Sequence, residues 1–239
     1  MQQQPDSAPV VAFFDVDNTL MRGASLYHVG WAAWRRGLIS ARDVARFVWA
    51  QLRFIARGEH LGHVDSVRER ALRLVAGRQV PQLQQLGVEV FEERIKDRLR
   101  PQMVALTRDH LDRGHEVWLV TATPKDVAMS IAQHLGLTGA LGTELEAVDG
   151  VYTGRLAGRL VHGGHKAEAA VELAEAVGAD LSRSWAYSDS RNDIPLLEAV
   201  GNPVVVNPDK GLRKYAQTRG WPVMQLRSSR RVKDADKES

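Results

Sequence analysis

The run VVAFFDVDNTL at residues 10–20 constrains this chain more than any other stretch. Five apolar residues, 10–14, lead without a break into Asp15, Val16, Asp17, Asn18 and Thr19. A short apolar run bounded by polar turn residues predicts a parallel strand covered on both faces. Carboxylates where such a strand runs out lie at the edge where open α/β sheets hold ligands. Two acids one residue apart project to the same side while the strand stays extended. Like charges that close repel unless a cation or a proton separates them. On these residues alone, a solvated strand end with an Asx turn explains the pattern equally well, so the downstream chain decides.

After this strand the pattern is helical for most of a hundred residues. Helices are expected over 25–37, with Ser25 as the cap and Gly37 closing it, and over 40–58, capped by Ser40. Two more are expected over 64–76, ending at Gly77, and over 81–99, where Gly87 is a weak point. From Pro101 strands and helices alternate. Helix 101–113 is followed by strand 116–121 (EVWLVT) and helix 124–135, and LEAVDGVYTGRL at 145–156 reads as a hairpin turning on Asp149-Gly150. Helix 165–177, strand 184–187, helix 194–200, strand 204–206 and helix 210–219 complete the series. Such alternation predicts an α/β fold with a mostly parallel sheet and helices on both faces. The expected organisation is a discontinuous core of residues 10–22 and 98–224. An all-helical unit, 23–97, is inserted after the first strand, with flexible tails at 1–9 and 225–239.

Composition narrows the function classes. The absence of cysteine in 239 residues excludes disulfides, zinc–thiolate sites and thiol nucleophiles, and fits a reducing, cytoplasmic location. MQQQPDSAPV has neither the basic nor the apolar segment of a signal peptide. No uncharged apolar run approaches the roughly 20 residues needed to span a bilayer. A net charge of +3 makes no case for nucleic acid as a partner.

Polar groups stand at the ends of separate elements of the α/β part. Asp15 and Asp17 follow the first strand, Thr121 the second, Lys166 opens a helix, and Asp189 and Asp193 follow a later strand. Parallel topology brings such ends to one rim. Hard ions such as Mg²⁺ take a few carboxylates and keep positions open for substrate oxygens, while a hydroxyl and an ammonium suit phosphoryl oxygens. Taken singly, each residue has a plainer role. Thr121 or Thr123 can cap the next helix, Lys166 can be a solvated helix residue, and Asp189 and Asp193 can complement a helix dipole.

FDVDNTL, VTAT, GGHK and YSDSRNDIPLL, in that order, resemble the four motifs of the haloacid dehalogenase superfamily of phosphohydrolases. The helical insert resembles that superfamily's C1 cap, on a Rossmann-like core. VDGVYTGRL and GNPVVVNPD are most similar to the phosphoserine phosphatase-like IB subfamily. The resemblance implies Mg²⁺-dependent hydrolysis of a small-molecule phosphomonoester through an aspartyl-phosphate. It makes Asp15 the nucleophile and Asp17 the general acid and then base. Asp15, the backbone carbonyl of Asp17 and Asp189 hold Mg²⁺ in this reading. Thr121, Lys166 and Asn192 bind the phosphate, and Asp193 orients Lys166 or metal-bound water.

One departure bears on substrate. Phosphoserine phosphatases of this type carry a glutamate for the substrate amine shortly after the second aspartate. Here that stretch is MRGASLYH, with no acid, which argues against phosphoserine. The insert is instead basic, with 13 Lys and Arg against 8 Asp and Glu over residues 22–97. It also carries Trp31, Trp34, Phe47, Trp49 and Phe54. A helical core with solvated arginines accounts for this. So does a surface for an anionic phosphoester, or peripheral contact with an acidic membrane or partner. His28, His60 and His63 have no assigned role, and Arg227, Arg230, Arg231 and Lys233 belong to a solvated tail. A phosphotransferase or phosphomutase using the same aspartyl-phosphate, and a binding protein using the basic insert, stand as alternatives.

Overall fold

The computed structural model describes residues 8–37 and 72–226. The expected helix over 40–58 and most of that over 64–76 lie outside the described residues, as do Phe47, Trp49, Phe54, His60, His63 and residues 1–7 and 227–239 of the tails.

The opening run forms strand β1, Val11–Asp15, with all five residues buried. The other sheet strands are β2 (Glu116–Pro124), β3 (Gly139–Thr143), β6 (Trp185–Ser188), β7 (Asn202–Val206) and β8 (Val223–Met224). A separate hairpin pairs β4 (Leu145–Val148) with β5 (Val151–Leu156). The six-stranded order is β3-β2-β1-β6-β7-β8, parallel throughout. The chain runs outward from β1 to β2 and β3 on one side, then crosses to β6, β7 and β8 on the other. The sheet therefore reverses its direction of winding beside β1, the place where open α/β sheets bind ligands.

Alternation along β1 divides the core. Ala12 and Phe14 face one layer with Leu86, Met103, Val127 and Ile131, whereas Val11 and Phe13 face another with Ala170, Leu196 and Leu212. The first layer contains α1 (Ser25–Arg35), α2 (Val80–Val90), α3 (Pro101–Asp112) and α4 (Lys125–His134). The second contains α5 (Gly164–Val177), α6 (Ile194–Glu198) and α7 (Lys210–Arg219). Each large apolar side chain buried this way contributes about 1.5–3 kcal/mol. No helix among the described residues is long and apolar enough to cross a membrane.

Several elements differ from expectation for local reasons. Ser25 is the first residue of α1 rather than its cap, and the preceding residue is Ala24. The expected helix over 81–99 is α2, then a wide turn at Phe91–Ile95 and a 3₁₀ turn at Lys96–Arg98. Gly87 is a contact rather than a weak point: a Cβ there would lie 2.6 Å from Ser130 Oγ on α4, so only glycine lets the two helices approach. Strand β2 runs on through Thr123 to Pro124, so neither Thr121 nor Thr123 caps α4. Strand β3 has little β propensity, yet its Gly139 leaves room for the Trp118 ring on β2. The hairpin forms as expected, with Asp149 and Gly150 both at positive φ, as a two-residue turn of this hand demands.

Under the sheet, His110 of α3 joins His115 and Tyr187. Its Nδ1 lies 2.9 Å from His115 Nδ1 and its Nε2 2.8 Å from the Tyr187 hydroxyl. The ring is almost fully buried, and burial penalises the charged imidazolium. Burial first, then His115 and Arg113, push the His110 pKa down from 6.5 to about 4. As pH falls the unfolded chain takes up this proton before the folded one. The stabilisation is therefore complete above pH 6.5 and is lost between 6.5 and about 4. We expect about 1–3 kcal/mol of acid destabilisation from this site, read as Tm against pH. His110→Gln should flatten that dependence, and an unchanged slope would contradict the assignment.

Candidate active site

The strand ends place an ionic cluster in the interior. Lys166, in the first turn of α5, donates from Nζ to Asp15 Oδ1 at 2.6 Å and to Asp193 Oδ2 at 2.8 Å. Lys166 is 5%, Asp15 4% and Asp193 2% exposed. Gly163 admits α5 here: its φ of 57° and ψ of −130° suit only glycine, and its carbonyl accepts from Lys166 N at 3.0 Å. Ser188, the last residue of β6, donates to Asp193 Oδ2 at 2.7 Å. Ser188 is part of the cluster that sequence reasoning missed; the available signal was a polar residue closing a buried strand just before Asp189.

Burial first, then the charges on Asp193 and Asp17, raise the Asp15 pKa to about 6, against the pull of Lys166. Asp189 at the end of β6 rises to about 7, by burial first and then by Asp15 and Asp193. The same two carboxylates hold the Lys166 ammonium charged in spite of its burial. Protein groups alone therefore leave the acids mutually repelled, although one lysine sits among them.

Asp17 leaves this cluster. Its backbone is extended (φ −75°, ψ 122°), while Asn18 turns the chain at φ 58°. Asn18 binds Gly23 twice: its amide donates to the carbonyl at 3.2 Å and its Oδ1 accepts from the amide at 3.0 Å. Asp17 Oδ1 then accepts from Ser25 N at 2.7 Å, at the opening of α1. That bond does the capping expected of Ser25, from a carboxylate eight residues earlier, with the helix dipole in its favour. The Ser25 hydroxyl instead meets Thr123 Oγ1 at 2.6 Å, in the core.

Thr121 is buried, one residue beyond Val120, the residue of β2 that pairs with Asp15. Thr121 Oγ1 accepts from Thr123 N at 3.2 Å. Asn192 is exposed on the 3₁₀ turn Arg191–Asp193, outside the buried cluster. A second residue missed in the sequence, Asp209, orders this loop. Its Oδ2 accepts from Arg191 N and its Oδ1 from Leu212 N, both at 2.8 Å, while its amide donates to the Asp189 carbonyl at 2.9 Å. Its signal was an Asp one residue before a helix.

Among the described residues no three acidic or imidazole side chains converge as a ready-made metal cage. Two carboxylates, Asp15 and Asp189, both raised by burial first and the second also by the charge of the first, would make with the Asp17 carbonyl a hard, oxygen-only donor set. That chemistry fits a divalent ion such as Mg²⁺, which keeps positions for water and a phosphoryl oxygen. The Asp17 side chain, bound to Ser25, is not part of that set.

Comparison with known proteins places the chain in one family. A family model described as haloacid dehalogenase-like hydrolase matches residues 12–198. The chain is 46% identical over 232 residues to phosphoserine phosphatase SerB1 of Mycobacterium tuberculosis, covering 97% of this chain and 75% of that protein. It is 31% identical to a histidinol-phosphatase of Neisseria meningitidis, covering 91% and 99%. A crystal structure of a protein of unknown function from Bordetella pertussis Tohama I superposes with a TM-score of 0.80 at 34% identity, covering 92% and 100%.

Removing one partner of a buried ion pair leaves an uncompensated charge and costs about 3–5 kcal/mol. Lys166→Met should therefore lower stability by about that amount in a denaturant titration. A loss below 1 kcal/mol, on the order of an exposed pair, would contradict the buried bridge.

Proposed function

The chain belongs to the haloacid dehalogenase-like hydrolases as a phosphomonoester hydrolase, and we propose that it cleaves a small-molecule ester through an aspartyl-phosphate on Asp15. The observation that carries this reading is the Asp15 carboxylate, buried at the switch point of the sheet with Oδ1 fixed by Lys166. One oxygen is thus oriented and the other is left to attack phosphorus. Lys166 supplies positive charge and Thr121 a hydroxyl to the phosphoryl oxygens, while Asp193 and Ser188 hold Lys166 in place. Asp17 gives its proton to the departing alkoxide. It then takes one from the water that cleaves the Asp15–phosphoryl bond, releasing inorganic phosphate. Mg²⁺, held by Asp15, Asp189 and the Asp17 carbonyl, supplies charge to offset the repulsion between carboxylate and phosphate.

In this reading residues 10–22 and 98–224 form the catalytic core, 23–97 the cap that closes over the substrate, and the enzyme works in the cytoplasm. The substrate is a small phosphomonoester. Two relatives are named for phosphoserine and histidinol phosphate, both of which carry an amine. The acid-free stretch MRGASLYH offers that amine no carboxylate, which disfavours both here.

Phosphate release from a panel of phosphomonoesters should require Mg²⁺, stop in EDTA and vanish in Asp15→Asn. Asp17→Asn keeps an acceptor for Ser25 N, so its expected loss of about 10²–10⁴-fold in kcat reports proton transfer rather than a lost cap. Undiminished turnover in Asp15→Asn would overturn the aspartyl-phosphate.

A further inference from the structure

The insert leaves and rejoins the core through a short antiparallel ribbon. Met21 faces Leu99, Arg22 N donates to the Arg98 carbonyl, and Arg100 N donates to the Leu20 carbonyl, the last two at 2.9 Å. Met21 at this bridge is fully buried, and Arg22, Arg98 and Arg100 flank the bridge in sequence. Like charges opposite each other weaken such a pairing.

The surroundings place this charge at the mouth of the site. Arg100 feels burial first, then Arg22, and on the favourable side Asp189, so its guanidinium lies toward the acid at the end of β6. His28 on α1 is held below its ordinary range by burial, then by Arg98 and Arg94, with Asp17 acting against them. Arg94 lies over the Trp31 ring at 3.5 Å, which fixes the guanidinium plane and leaves its edge for hydrogen bonds.

Three glutamates of the neighbouring turns are already engaged. Glu93 pairs with Arg35, Glu89 with Arg36 and Glu92 with Lys96. Among the described residues none forms an ion pair with Arg94, Arg98 or Arg100, and the Nε atoms of Arg94 and Arg100 are buried without a partner. An unsatisfied buried donor costs about 1–3 kcal/mol, so Arg94 and Arg100, with the exposed and unpaired Arg98 between them in sequence, point to a ligand.

We propose that Arg94, Arg98 and Arg100, with His28 beside them, form a second oxyanion subsite, and that the substrate is a phosphomonoester whose leaving alcohol bears a further anionic group. A carboxylate and a second phosphate share the required chemistry. The inference rests on the phosphatase reading and adds the charge of the leaving group.

The test compares kcat/KM for four esters: phosphoglycolate (a carboxylate), a sugar bisphosphate, glycerol phosphate (neutral) and phosphoethanolamine (cationic). The anionic esters should exceed the neutral one by about 10- to 100-fold, as expected for one or two charge-assisted hydrogen bonds. The better of the two identifies the anion. Arg98→Ala and Arg100→Met should each compress that anionic-to-neutral ratio by about 10-fold, a readout that general destabilisation does not move. Calorimetry with Asp15→Asn, which cannot turn over, measures the same preference as binding. Hydrolysis without an anionic preference, or with preference for the cationic ester, overturns this inference and leaves the phosphatase reading standing. Anion-selective binding without hydrolysis by the native chain overturns the phosphatase reading instead. Neither hydrolysis nor anion-selective binding overturns both.

Discussion

The bridge from Lys166 to Asp15 and Asp193 is the interaction on which the rest of the site depends. It joins the end of β1, the first turn of α5 and the loop after β6, segments separated by 151 and 27 residues in sequence. All three side chains are almost wholly buried, where two facing carboxylates are untenable without a cation between them. The lysine therefore has a structural and a chemical consequence together. It lets the strand end carry a buried acid, and it fixes which oxygen of that acid is turned to the substrate.

A second link couples chemistry to the insert. The acid–base carboxylate, Asp17, is hydrogen-bonded to the first amide of α1, and the Ser25 hydroxyl ties the same turn to Thr123 at the end of β2. In the proposed reading the catalytic carboxylates come from the core, while His28 and Arg94 of the proposed anion subsite come from the insert. Gly23, at φ 87° between Asp17 and Ser25, is the point where the chain absorbs the change of direction. Asp17 and the start of α1 are thus joined by a 2.7 Å hydrogen bond.

Much of this was legible in the residues. The apolar run of β1, the acids that end it, and the later VTAT, GGHK and YSDSRNDIPLL stretches mark strand and helix ends, and a parallel sheet gathers such ends at one rim. What escaped was set by tertiary contact. Ser25 read as a helix cap because Ser commonly caps, yet Asp17 reaches that amide from outside the helix. Strand β3, GALGT, gave no strand signal, because its glycine answers a ring on the neighbouring strand rather than a propensity. Gly87 looked like a flaw and proved to be the crossing point of two helices. Ser188 and Asp209 bind site loops whose shape local sequence does not encode, while Asn192 lies outside the buried cluster. The excess of positive charge in the insert was countable, but only the ribbon of Met21 and Leu99 shows that Arg22 lies against Arg98 at its two ends.

The most direct measurement of the central claim is a rapid acid quench of the native chain turning over a good ester with Mg²⁺, followed by mass analysis of its peptides. A phosphoryl group added to the peptide carrying Asp15, absent from Asp15→Asn and labile to hydroxylamine, is the predicted result. Turnover with no covalent phosphoryl on that peptide, or with the phosphoryl on another residue, would contradict the role assigned to Asp15.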